Sequence, residues 1–241
     1  MLRTVYIELL KIKRSKLILF ILACTMVNAF ISYIVEQNAV TMGSLLQSTV
    51  TRFNLLLGAP LFAIVTGFIV ADEYRHQVVD QLFTYPISRA KILLGKLLFL
   101  LSLVLLGVIS SFLFTVVVGI ATGASSVTGM FDYILPYLVT AGTQMALVPI
   151  VMMISIIGRS IIGGIAVGVI AGFSSGLVTA IGLGMYYPWS IPTVMTYDIL
   201  GILDADLVKT LTSLFIIFVV PLALSFIFYK KMFKKNCWFT L

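Results

Sequence analysis

The chain has 241 residues, of which 61% are hydrophobic and 10% charged, and its formal net charge is +7. A soluble domain carries about 25% charged residues, so an ordinary soluble fold is excluded. The apolar residues lie in runs long enough to cross a bilayer, each needing roughly 20 residues, and the short alternating segments of a transmembrane barrel are missing. The expected class is an all-α integral membrane protein with six transmembrane helices. The basic residues sit at the ends of the apolar runs, where they orient the chain and meet membrane lipid, so no nucleic-acid partner is expected.

Residues 1–16 come first. Leu2, Val5, Tyr6, Leu9 and Leu10 share one helical stripe, with Arg3, Glu8 and Lys11 away from it. That pattern predicts an N-terminal interfacial amphipathic helix; a frayed cationic tail is the alternative. Residues 17–241 read as a single transmembrane domain. Its first apolar run, 17–35, follows a basic region and holds a Val-Asn-Ala site at 27–29, as a secretory signal does. With Met1 in place it is expected to be a retained first span. Asn28, the strongly polar side chain in the middle of this run, is expected to bond a neighbouring helix.

The second span is expected over 53–71, followed by a cytoplasmic loop at 72–91 and a third span at 92–122. Thirty-odd helical residues exceed a core about 30 Å thick, so Lys96 should snorkel from the cytoplasmic interface. The fourth span is 131–157, with kinks expected at Pro136 and Pro149. In the fifth, 161–181, Gly164, Gly168, Gly172 and Gly176 recur at every fourth residue. Such a stripe creeps about 40° per step around the helix and lets another backbone approach closely, from this chain or from a second copy. Residues 182–207 are too apolar for an aqueous loop and too broken by Pro188 and Pro192 for a span. Tyr186, Tyr187, Trp189 and Tyr197 suit the interfacial aromatic belt, so a broken, re-entrant-like segment of two short helical pieces is expected in the outer leaflet. An interfacial loop lying flat fits the same residues. The sixth span is 208–229, with Pro221 inside it, and a cytoplasmic tail at 230–241 carries Lys230, Lys231, Lys234 and Lys235.

Basic residues set orientation. Five precede the first span, four lie between 72 and 96, one is Arg159 and four are in the tail: fourteen of sixteen on one side. Arg52 and Lys209 are expected on the other. Both termini are therefore expected to be cytoplasmic. Cys24 and Cys237 fall at different depths, so no disulfide is expected.

The chain has no G-x-x-x-x-G-K-[ST] loop to cradle a nucleotide and no His-Glu-x-x-His or paired-cysteine pattern for a metal. No catalytic residues are expected, and the chain is expected to be no enzyme by itself. The six predicted spans hold no ionisable side chain in their interiors, which speaks against ion coupling. If the chain transports anything, its energy must come from outside.

The charged run from Asp72 to Lys96 offers the place. Tyr74 to Tyr85 reads as a short helix stopped by Pro86, which biases Tyr85 away from helix. Val78, Val79, Leu82 and Phe83 form an apolar side, and Arg75, His76 and Asp80 lie on others. A short amphipathic helix tied to two spans is a lever that a partner can push. Glu73-Tyr-Arg75, then Leu82, then Tyr85-Pro86-Ile-Ser88-Arg89, Lys91 and Gly95-Lys96 resemble the signature of type-2 ATP-binding-cassette export permeases. In that family a glutamate ends the second span, a coupling helix follows, and a Pro-[Ile/Val]-Ser-Arg turn and a Gly-Lys open the third. This chain departs from it at Gln77-Val78, where many members have Gly-Thr. The layout matches along the whole length, and the compact size is similar to the permeases of bacitracin and lantibiotic self-protection exporters.

The resemblance implies two permease subunits, identical or homologous, over two separate nucleotide-binding ATPase subunits that carry the ATP and magnesium; no cofactor is expected on this chain. It implies that Glu73 and Arg75 fix the coupling segment to the span. His76, Asp80, Gln81 and Leu82 would face the ATPase, and Pro86, Arg89 and Lys96 would shape and anchor the return. The location implied is the plasma membrane of a bacterium. A hydrophobic or amphipathic substrate, such as an antimicrobial peptide or drug, suits an uncharged path. Export of sodium or of a lipid-linked substrate, and a non-transporting scaffold or sensor subunit, are the alternatives.

Overall fold

A computed structural model describes residues 16–36, 41–75, 89–124, 127–158 and 161–236. The interfacial helix expected before residue 16 and the coupling residues His76, Asp80, Gln81, Leu82 and Pro86 lie outside the described residues, as do Arg159 and Cys237. Among the described residues every long element is helical, and six helical segments are long and apolar enough to cross a membrane. The chain is a multi-pass helical membrane protein.

The first span is α1, Leu17–Val35. The second differs from the sequence expectation: its helix starts at Met42 instead of 53. It consists of α2 (Met42–Arg52), a π-helical turn (Phe53–Leu57) and α3 (Gly58–Arg75), run together. The start is set by a capping box, in which the Ser44 N–H donates to the Thr41 hydroxyl at 3.1 Å and the Thr41 N–H donates to the Ser44 hydroxyl at 3.2 Å. Met42, Leu45, Leu46, Thr49 and Val50 of α2 are buried. Ser44, Gln47, Ser48, Thr51 and Arg52 make a half-buried polar side, which reads as loop when the chain is scanned for hydropathy alone. Arg52 therefore lies within the second membrane-crossing helix, and the expectation of spans free of ionisable groups does not hold there. Lys209 likewise falls inside the sixth.

The π-turn has a local cause. Gly58 N–H donates to the Phe53 carbonyl, one residue further back than in an α-helix. In that register the carbonyl of Leu55 looks to residue 60, which is a proline and has no N–H. The hydroxyl of Ser175, on the fifth span, donates to the Leu55 carbonyl instead, at 3.0 Å. A break in one helix is thus satisfied by a side chain of another, as the absence of water in a bilayer core demands.

The third span is α4, Arg89–Ala121, and the fourth, α5, is Ile134–Gly158 behind a 3₁₀ stretch at Val127–Tyr133. Pro136 falls in the first turn of α5, where a missing N–H breaks no helical bond, so the kink expected there has no cause; Pro149 is inside the helix. The fifth span is α6, Ile161–Ala180, and the sixth is α8, Leu207–Asn236, with Pro221 inside. Between them lies one short helix, α7 (Ile191–Ile199), with turns on either side, where two helical pieces were expected. The side chain of Asp206 caps α8 by accepting from the Lys209 N–H at 3.3 Å, and its carboxylate pairs with the Lys209 ammonium at 2.7 Å.

The second and fourth spans form the middle of the fold. Leu61, Val65, Leu100, Val104, Val148, Met152 and Ile156 are core residues there, shared with α4. On the other side α3 meets α6 along the glycine stripe. A Cβ added at Gly164 would stand 2.9 Å from Gly67 Cα, at Gly168 2.6 Å from Ala63 Cβ, and at Gly172 2.9 Å from Pro60 Cγ. The first three glycines therefore permit a backbone-close contact within the chain. Gly176 does not belong to it, since a Cβ there meets only Leu55 Cδ2 at 3.8 Å. The first and third spans are joined by Thr25 and Ser110, whose hydroxyls are 3.1 Å apart, and Asn28 donates to the Thr49 carbonyl of α2 at 3.2 Å. The outward sides of α6 and α8 present Phe173, Leu177, Phe215 and Ile216, as a surface bathed in lipid tails allows.

The stripe gives a direct test. Gly168→Ala is expected to destabilise the protein by about 1–3 kcal/mol through overpacking against Ala63 and Pro60. Gly176→Ala should stay within about 0.5 kcal/mol of the parent. Thermal unfolding in detergent micelles reads both, and equal midpoints for the two variants would refute the assignment.

Candidate functional site

Glu73 and Arg75 are in the last turn of α3 and Arg89 opens α4, so the feet of the charged segment continue two spans without a break. Lys96 joins them. Its side chain is 2% exposed within the chain, and its ammonium donates to the carbonyl of Ile69 at 3.3 Å. It therefore does not snorkel outward as expected. It is turned inward, where the Ile69 carbonyl of α3 accepts from it.

Near the middle of the chain's second span lies a neutral polar network that sequence reading did not single out. The carboxamide of Asn54, in the π-turn, donates to the hydroxyls of Thr140 and Thr196 at 2.9 Å each and reaches the Pro192 carbonyl at 3.4 Å. Its oxygen accepts from the amide of Gln144 at 3.2 Å. Thr196 also donates to the Pro192 carbonyl at 2.7 Å, and its hydroxyl lies 3.2 Å from that of Thr140. Asn54, Thr140, Gln144 and Thr196 are all buried, so these bonds form away from water. Gly58 is part of the arrangement, because a Cβ there would occupy the position of the Gln144 amide. One side chain so ties the second span, the fourth span and α7. The signal was present: Asn54 and Gln144 are amides in apolar runs, like Asn28.

Above this network, a cleft of about 500 Å³ opens beside α1, α2 and α7. Arg52, Ser48 and Gln47 line it from α2, Glu36 from the end of α1, and Tyr197 from α7. The Arg52 guanidinium donates to the Ser32 hydroxyl at 3.2 Å and to the Ser48 hydroxyl at 3.3 Å. Of the four aromatic residues expected at the interface, Tyr197 faces this cleft, whereas Tyr186 is exposed. Tyr187 and Trp189 stack at 5.7 Å between ring centres, and the Tyr187 hydroxyl is 2.5 Å from that of Ser174 on α6. The structure thus does not gather the sequence-expected residues into one site. They fall into a group at the charged segment, a packing stripe and the segment between the fifth and sixth spans, with the Asn54 network between. Among the described residues no three His, Cys, Asp or Glu side chains converge to hold a metal.

Residues 4–175 match a family model described as ABC-2 family transporter protein, a stretch that runs from before α1 into α6 and includes the whole charged segment. The bacitracin transport permease protein of Bacillus licheniformis is 22% identical to the chain over 139 residues, 56% of this chain. The match spans 66% of that relative, a little under two thirds of its length.

The network predicts a coupling energy. Asn54→Ala and Gln144→Ala should each destabilise the protein by about 1–2 kcal/mol. Because the second change removes a group already orphaned by the first, the double variant should fall short of the sum by about 0.6 kcal/mol or more. Unfolding of the four proteins in mixed micelles measures this, and strict additivity would dissolve the network as a unit.

Proposed function

The chain belongs to the ABC-2 family of transporter proteins, and from that premise we propose that it is the membrane-embedded permease subunit of an ATP-driven exporter. ATP is bound and hydrolysed by a separate ATPase subunit, and two permease chains, identical or homologous, sit over two such subunits in a bacterial plasma membrane with their termini in the cytoplasm. The permease itself is a non-catalytic membrane component that carries no ATP, magnesium or other cofactor.

The observation that carries this reading is the construction at the cytoplasmic end. The helix ending in Glu73 and Arg75 and the helix beginning at Arg89 are held together by the buried Lys96. A partner acts on residues 76–88, and the motion reaches both helices. It is passed along α3 to the Asn54 network and, through the close contact at Gly164, Gly168 and Gly172, to α6. Rocking of the second and fifth spans is then the movement that changes access from one side of the membrane to the other. In this reading His76, Asp80, Gln81 and Leu82 meet the ATPase, and Pro86 sets the return toward Arg89.

The substrate is amphipathic or hydrophobic, a peptide antibiotic or drug. Support comes from the neutral interior around Asn54, Thr140 and Gln144, and from likeness to a relative whose name states bacitracin transport. A fixed guanidinium in the outer part of the second span repels small cations, which disfavours sodium.

Purification of the chain with its cytosolic partners is expected to yield an ATPase in equal number, two for each permease pair. Glu73→Ala and Arg75→Ala should leave membrane insertion intact and lower substrate-stimulated ATP turnover on the order of tenfold, the loss of one charge-assisted contact. Unaltered stimulation in both variants would sink the lever. A complex without any ATPase would make the chain a scaffold.

A further inference from the structure

Arg52 is ten residues into a helix that starts at Met42, about 15 Å along its axis. A guanidinium at such a depth is retained only where it meets water, a partner or a ligand. It has five N–H donors in a planar fork, and the structure supplies two neutral hydroxyls, Ser32 and Ser48, which orient it without neutralising it. Among the described residues no carboxylate pairs with it. It faces the cleft of about 500 Å³, a volume within the usual range for small-ligand sites. Gln47, Ser48 and Thr51 line that cleft with groups that can donate to an oxyanion.

The cleft also holds a negative charge. Glu36 caps the end of α1, is half-buried, and pairs with no cation among the described residues. Ser32, which orients Arg52, is one helical turn before it on α1, and Glu36 and Arg52 line the same cleft. A plain anion of any length would be repelled by Glu36, and a plain cation by Arg52. A zwitterion with its oxyanion inward and its ammonium outward satisfies both. Next to the cleft, the outer part of α1 turns Phe30, Ile31, Ile34 and Val35 outward, an apolar surface on which acyl chains can lie.

We propose that this cleft binds the headgroup of a zwitterionic membrane phospholipid of the phosphatidylethanolamine class, with the phosphate on Arg52 and the primary ammonium on Glu36. Ser48 and Thr51 complete the phosphate shell, and Tyr197 closes the wall. The apolar surface at the outer end of α1 favours a lipid over a soluble peptide zwitterion, which has no chains to place there. The site does not rest on the transport reading, because it requires neither an ATPase nor a second copy.

The test uses the full chain in a neutral, lipid-free detergent, with phosphatidylethanolamine, phosphatidylglycerol or trialanine added and retention read by native mass spectrometry. Phosphatidylethanolamine should be retained over phosphatidylglycerol, and trialanine not at all. Arg52→Gln should weaken phosphatidylethanolamine retention about tenfold, with Arg52→Lys recovering part of it. Glu36→Gln should keep phosphate binding and abolish the preference between the two lipids. Equal retention of both lipids by the parent chain overturns the proposal even if the Arg52 variants do not fold. Unchanged retention in a folded Arg52→Gln overturns it too, and preferential retention of trialanine reassigns the cleft to peptides and overturns the lipid.

Discussion

Inside a bilayer no water is available to finish a hydrogen bond, and the second span breaks the regularity that normally makes water unnecessary. Pro60 removes a donor, the helix widens into a π-turn at Phe53–Leu57, and the carbonyl of Leu55 is taken over by Ser175. The same turn delivers Asn54 into the interior, where Thr140, Thr196, Gln144 and the Pro192 carbonyl complete its bonding. The position of α7 and the meeting of the second, fourth and fifth spans follow from satisfying that one irregular turn. A stretch that is locally imperfect as a helix thereby joins the second span to the fourth, the fifth and α7.

Close approach and polar bonding reinforce each other. Three glycines of α6 bring its backbone against Pro60, Ala63 and Gly67, and only at that separation does the short side chain of Ser175 reach the Leu55 carbonyl. Gly58 similarly leaves the volume that the Gln144 amide fills. Lipid tails are as apolar as leucine, so these contacts, rather than a hydrophobic drive, hold the helices together. Where they are missing, as on the outward sides of α6 and α8, large apolar side chains are exposed.

Arg52 in the second span and Lys96 in the third occupy opposite ends of the same framework. Lys96 links α4 to α3 near the charged segment, while Arg52 lines an open cleft toward the other end. One is bound to a backbone carbonyl in the protein interior; the other is held by two hydroxyls and turned to a space. Between them the described interior is uncharged.

Much of this was legible in the chain alone. Runs of about 20 apolar residues fix the class and the number of spans, because the thickness of a bilayer is a one-dimensional constraint that sequence satisfies directly. The distribution of Lys and Arg supplies an expected orientation, and the residues from Glu73 to Lys96 point to the family. The spacing of Gly164, Gly168 and Gly172 announces a close helix contact but not its partner, since a stripe of small residues fits any backbone. Only the tertiary structure chose α3. The helical character of 42–52, the inward turn of Lys96 and the gathering of Asn54, Thr140, Gln144 and Thr196 were hidden for one reason. Each depends on polar groups from distant parts of the chain meeting away from water, and hydropathy, which scores a residue by itself, counts those same groups as signs of a loop.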